Sequence, residues 1–182
     1  MGERLVLMFK YAQKVMFALI MMAMFGAAPS KASEVSEFIP DAELVGEARF
    51  SVFLFPIYDA SLYAPNGKYE KGGPLALVLN YLFDLDKESL VSQTVEALER
   101  RKLGTPDQIA KWKAILNEHF FDVVKKDKIL IAFPDPETVS FSTNDGAPTT
   151  VVDPGFALAF KDLWLGDNIR NKKFQNQLLG MN

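Results

Sequence analysis

An α+β fold, with an antiparallel sheet and helices layered on one of its faces, is what this sequence predicts, and three observations carry the prediction. Ala48 to Gly67 (ARFSVFLFPIYDASLYAPNG) is crowded with aromatic and apolar residues and reads as two consecutive strands. Leu75 to Phe83 (LALVLNYLF) is a nearly unbroken apolar run of strand length, which places it at the centre of a sheet with both faces buried. Two segments of helical periodicity then follow one another before strands return, so helices and strands come in runs and do not alternate.

Taken in chain order, the first element is a leader. Arg4, Lys10 and Lys14 precede an uncharged 14-residue run from Val15 to Ala28, followed by Pro29 and the small-x-small pattern Ser30-Lys31-Ala32. This is the layout of a secretory signal peptide with cleavage after Ala32, since about 20 apolar residues would be needed to span a bilayer. The expected organisation is therefore a leader, 1–32, and one domain, 33–182, located in the periplasm or secreted, with no stable membrane anchor once the leader is removed. Ser33 to Ile39 reads as a frayed lead-in. In the aromatic stretch, Pro56 marks a bulge, an edge or the joint between two strand halves, because it cannot donate a ladder hydrogen bond.

Asn66 to Pro74 is dense in turn residues and leads into the Leu75–Phe83 strand. Asp86 is placed to cap a helix whose stripe Leu90, Val91, Thr94, Val95 and Leu98 runs towards Arg100 and Arg101, with Gly104 as its stop. Thr105-Pro106-Asp107-Gln108 is a capping box with proline at the first helical position, opening a second helix with Ile109, Trp112, Ile115, Leu116 and Phe120 on one face. Strands follow at 129–133 and 139–142, and Asn144-Asp145-Gly146 turns the chain into a hairpin with 149–152. Asp153-Pro154 starts a helix through Leu163, and Asp167 or Asn168 begins a last one that ends near Leu179-Gly180.

Composition narrows the function. Removing Arg4, Lys10, Lys14 and Lys31 together with Glu3 from 20 basic and 23 acidic residues leaves 16 against 22, a net charge of −6. Such a chain lacks the basic face that nucleic-acid binding requires, and none is expected. There are no cysteines, so neither a disulfide nor a lipidated cysteine is available. His119 is the sole histidine and no H-E-x-x-H motif exists, so no metal is expected; with no Walker loop, dinucleotide fingerprint or G-x-S-x-G elbow, no cofactor is expected either.

The order of segments GEARFSVFLFPIYDASLYAPNG, LALVLNYLFDLDKESL, a helix pair, a hairpin at NDG, DPGFALAFKDLWLG and a terminal LLG resembles the bacterial secreted branch of the chalcone isomerase-like family, over Val45 to Gly180. The resemblance implies an open-faced β-sandwich, a long antiparallel sheet with helices on one face and an apolar cleft between them. Plant chalcone isomerases use an arginine, two threonines, a tyrosine and an asparagine in that cleft. The resemblance aligns those positions here with Pro40 or Asp41, Val52 or Phe53, Ser89 or Leu90, Glu96 or Ala97, and Asp162 or Leu163, so every one departs.

The residues then support three functions, in this order. The first is a non-catalytic periplasmic protein that binds a small apolar or aromatic, fatty-type carboxylate in the cleft, with Arg49, Val52, Phe53, Tyr58, Leu90, Ala97 and Leu163 as lining. Tyr58 and Tyr63 are candidate hydrogen-bond donors to such a ligand. The second is a scaffold for a protein partner. The third is an isomerase of the intramolecular lyase class using Arg49, Tyr58 and Asp162. Alternation offers a different place for Arg49, on the solvent face of its strand.

Overall fold

The computed structural model describes residues 34–181 apart from Asp145. The leader and its cleavage point lie outside the described residues. Six antiparallel strands form a single meander in chain order: β1 Ala42–Val52, β2 Phe55–Pro65, β3 Leu75–Tyr81, β4 Lys128–Phe133, β5 Thr138–Thr143 and β6 Thr149–Val152. Helices α1 (Lys87–Arg100), α2 (Pro106–His119), α3 (Pro154–Leu165) and α4 (Lys172–Leu178) complete the α+β architecture.

Local chemistry sets the helix starts. Asp86 accepts a hydrogen bond from the Ser89 amide at 2.7 Å, the Thr105–Gln108 capping box is formed in both directions, and Asp153 accepts from the Phe156 amide at 2.9 Å with Pro154 following it. The last helix starts later than the expected Asp167 or Asn168, because Asn171 supplies the cap, accepting from the Phe174 amide at 3.0 Å. At the end of α1 the left-handed residue is Lys102, φ 56°, with the Leu103 amide closing back on the Leu98 carbonyl at 3.0 Å. Gly104 is therefore not the stop; it leaves room for the Trp112 ring.

Strand alternation sorts the sheet into two faces. On one, Leu62, Leu77, Ile131 and Phe133 pack with Leu98, Trp112, Phe156 and Phe160 of the helices in the main core. On the other, Tyr63, Ala76, Val78 and Leu130 form a smaller cluster with Val35 and Ile39. Both of those N-terminal residues are fully buried, so the described part of the expected frayed lead-in, residues 34–39, is not frayed. A central strand that is apolar on both faces needs a cover on each, and this segment provides the second one, with the Glu34 carboxylate paired to the Lys128 ammonium.

The first hairpin also differs from expectation. Its turn is Phe53-Leu54, between the paired Val52 and Phe55, and Pro56 lies within β2 opposite Ser51. A register shift between Phe50 and Ser51 accommodates the missing amide hydrogen, so of the places expected for Pro56 the bulge holds and the joint between strands does not. At the other end of β1, a side-chain carbon on Gly46 would sit 2.7 Å from the Leu178 carbonyl and the Gly180 nitrogen. Only glycine lets the end of α4 lie this close to the strand.

Candidate ligand site

Cross-strand register lines three aromatic rings across the helix-facing side of the sheet: Phe50 opposes Tyr58, and Tyr58 opposes Tyr81. Phe50 and Tyr58 stack at 5.0 Å between centroids, and Tyr81 meets Tyr58 at 5.8 Å. Trp164, in the last turn of α3, covers Tyr58 at 5.8 Å, while Phe174 of α4 sets its ring edge-on to Phe50 at 5.8 Å. Sheet, α3 and α4 thus converge on Tyr58.

This aromatic cluster holds polar atoms with unspent capacity. The Trp164 indole nitrogen Nε1 is buried with no acceptor, although buried donors are almost always satisfied. Burial pushes the Tyr58 phenol far above its ordinary value, the neighbouring Tyr81 adding to the effect, and burial takes the Tyr81 phenol up to about 12. Both hydroxyls stay protonated at physiological pH. They are suited to donate hydrogen bonds and not to remove protons.

A second feature closes the end of α3. Arg101 Nη1 donates to the Asp162 carbonyl at 2.7 Å, and Arg101 Nε is buried without an acceptor. Burial pulls the Arg101 guanidinium below its ordinary value and raises the Asp162 carboxyl, Arg101 opposing the latter shift. The Gly166 of the WLG segment permits this seat, since a side-chain carbon there would lie 2.8 Å from Arg101 Nη2.

The sequence-predicted residues divide into three groups. Tyr58, Leu90 and Leu163 join the helix-side core, and Ala97 lies half-buried on α1. Val52 and Phe53 do not line the layer between sheet and helices; they sit at the β1–β2 tip, with Phe53 95% exposed, because no other element reaches that far. Arg49 is on the opposite sheet face, where its guanidinium makes two hydrogen bonds to Asp59 at 2.6 and 2.8 Å and borders an open groove of about 630 Å³ with Ser51, Asn171 and Lys173. Tyr63, five residues beyond Tyr58, also belongs to that opposite face.

The Arg49–Tyr58–Asp162 constellation is consequently not assembled. Arg49 and Tyr58 are separated by the sheet itself, and the Asp162 carbonyl is engaged with Arg101 at the end of α1. His119 stacks on Phe141 at 6.0 Å, a packing role. Among the described residues no group of three or more His, Asp or Glu side chains could hold a metal ion, and no helix is long and apolar enough to cross a membrane. Sequence reasoning missed Tyr81, Arg101, Trp164 and Phe174 as site residues. The signal for Tyr81 was register, which places it beside Tyr58 only once the hairpin turn is known.

The profile of the chalcone isomerase-like family matches residues 41–180. The chain belongs to the chalcone isomerase-like family. No curated protein matches it significantly in sequence. Among solved structures, it is similar to a fatty-acid binding protein of Arabidopsis thaliana, with a TM-score of 0.58 at 14% identity, covering 78% of this chain and 88% of the plant protein. At that identity the likeness shows the chalcone isomerase-like fold, the six-stranded antiparallel sheet with its helical layer.

Proposed function

We propose that this family member is an exported, periplasmic, non-catalytic binder of a small apolar ligand that carries a carboxylate, of fatty or aromatic type. The ligand lodges between sheet and helices beside Tyr58, Tyr81, Trp164 and Phe174. The observation that carries the reading is the buried Trp164 Nε1 without an acceptor, set within a cluster that is otherwise aromatic. An oxygen of the ligand head would satisfy it, and burial of the apolar tail would supply most of the affinity, at roughly 25 cal/mol per Å². The plant relative of like fold, described as a fatty-acid binding protein, supports the choice of ligand class.

The neutral phenols favour binding over reaction. A ring-opening or ring-closing step needs a group that takes or holds a proton near neutrality, and the hydroxyls at this cluster are held well above that range by burial. Native mass spectrometry of the protein recovered from an exporting host should show a fatty-acid-sized adduct. Replacing Trp164 by phenylalanine removes the donor and leaves a smaller aromatic ring, so titration with a long-chain fatty acid should show affinity about ten-fold lower. An adduct-free protein that no fatty or aromatic carboxylate stabilises against heat would sink the proposal.

A further inference from the structure

The β1–β2 tip is built against the rules of a turn. Its two central residues are Phe53 and Leu54, 95% and 93% exposed, and Phe55 beside them is 68% exposed. Phe53 adopts φ 55°, the left-handed region that glycine or asparagine occupies at least cost and that a bulky side chain strains. Folding alone favours a small or polar residue here. A strained and solvent-facing aromatic points instead to something that the tip contacts.

The surroundings define what that is. The Leu82 amide bonds to the Ile57 carbonyl and the Lys126 amide to the Tyr81 carbonyl, both at 2.8 Å, so the β3–α1 and α2–β4 connections share this end of the sheet with the tip. They add the exposed apolar side chains Phe83 and Val124, and the exposed Lys125 and Lys126. Helix α4 runs antiparallel to β1, Phe174 meeting Phe50 while Leu178 meets Gly46, which brings Lys172 and Lys173 to the same end. Lys173 borders a groove with Ser51, one residue before Val52. The same end also carries carboxylates: Asp84, Asp122 and Asp127 accept hydrogen bonds from the amides of Lys125, Lys87 and Val124, and Asp86 and Glu88 stand at the start of α1.

An apolar prong with exposed lysines at its foot matches a lipid surface with anionic headgroups. A convex prong of three large side chains needs no shaped pocket when the acceptor is lipid, and aromatic residues settle readily at the headgroup boundary. We propose that the β1–β2 tip is a peripheral membrane-docking prong: Phe53, Leu54 and Phe55 enter the interface of an anionic bilayer while Lys173, Lys125 and Lys126 meet its headgroup phosphates. This docking is reversible and separate from the ligand reading, because it uses residues outside the aromatic cluster.

The absence of cysteine allows a clean test on the full chain. Leu54→Cys carries an environment-sensitive fluorophore at the tip, and Val152→Cys carries it at an exposed apolar position at the opposite end of the sheet. With phosphatidylglycerol vesicles, emission should shift to the blue and be quenched by brominated acyl chains at position 54 but not at position 152, whatever the state of the leader. Lys173→Gln should require about five-fold more lipid for the half-maximal shift. Phe53→Gly should leave the melting temperature unchanged or raised while weakening the shift several-fold. No shift at position 54, equal shifts at both positions, or a shift that appears without vesicles as protein concentration rises would each overturn the proposal, the last by showing that the tip's occupant is a second copy of the chain.

Discussion

The base and the tip of the first hairpin have the same kind of sequence and opposite environments. At the base, Phe50 and Tyr58 are stacked on each other and roofed by Trp164 and Phe174. At the tip, Phe53, Leu54 and Phe55 stand in solvent. Composition and alternation hardly change between them; what changes is whether a second element reaches the strand. Helices α3 and α4 reach Tyr58 and Phe50, and neither covers the turn. An aromatic run is thus a core signal only where the topology supplies a partner layer, and beyond that limit it signals a surface with work to do.

The sharpest way to break this comparison is to remove the same side chain from each region. Phe174→Ala should cost about 3–5 kcal/mol of folding stability in urea titrations, because the residue is 6% exposed and three rings lose a neighbour. Phe53→Ala should change stability by no more than about 0.5 kcal/mol. Comparable costs at the two sites would mean that the tip is folded against protein and that the contrast is false.

A smaller effect concerns what holds the roof in place. Helix α3 carries Trp164, and its start depends on the Asp153 cap, which also pairs with Lys111 at 2.7 Å. Asp153→Ala should destabilise the fold by about 1 kcal/mol near neutral pH. Burial alone would raise this carboxyl, but the Lys111 ammonium and the Phe156 amide together outweigh it and hold it below its ordinary value. A lowered folded value means that the contribution is complete above the ordinary carboxylate range and is lost as pH falls through the depressed one. The gap between wild type and variant should accordingly close in acid, and a gap that stays constant down to pH 2 would assign the cost to something other than the carboxylate.

How far these regions were legible depended on local chemistry. The caps at Asp86, Thr105 and Asp153 could be read because each acts on an amide two or three residues away. The double burial of Leu75 to Tyr81 could be read because a strand without polar alternation has no solvent face. The turn at Phe53-Leu54 could not, since it contains neither glycine, asparagine nor proline, and Pro56 two residues on offered a stronger but misleading mark. That displacement hid the register, and with it the Phe50–Tyr58–Tyr81 row. The role of Val35 and Ile39 was hidden for another reason: two apolar residues in a short segment carry no periodicity, and only the far face of the sheet gives them a place.

The finest division in the hairpin base is a single residue wide. Arg49 and Phe50 are consecutive, yet alternation sends the ring to the helix side and the guanidinium to the other face, against Asp59. The exposed pair raises the Arg49 value through its hydrogen bond and charge contact with Asp59, but an ion pair in water has little to give a ligand bound across the sheet. Arg49→Ala should therefore leave the affinity for a fatty carboxylate within roughly two-fold of wild type, whereas Tyr58→Phe, which removes only a hydroxyl from the helix side, should lower it by about ten-fold. Calorimetric titration of the two variants decides the matter. If Arg49→Ala proved the more damaging, the ligand head would have to lie in the outer groove beside Ser51 and Lys173, and the aromatic cluster would be core and nothing more.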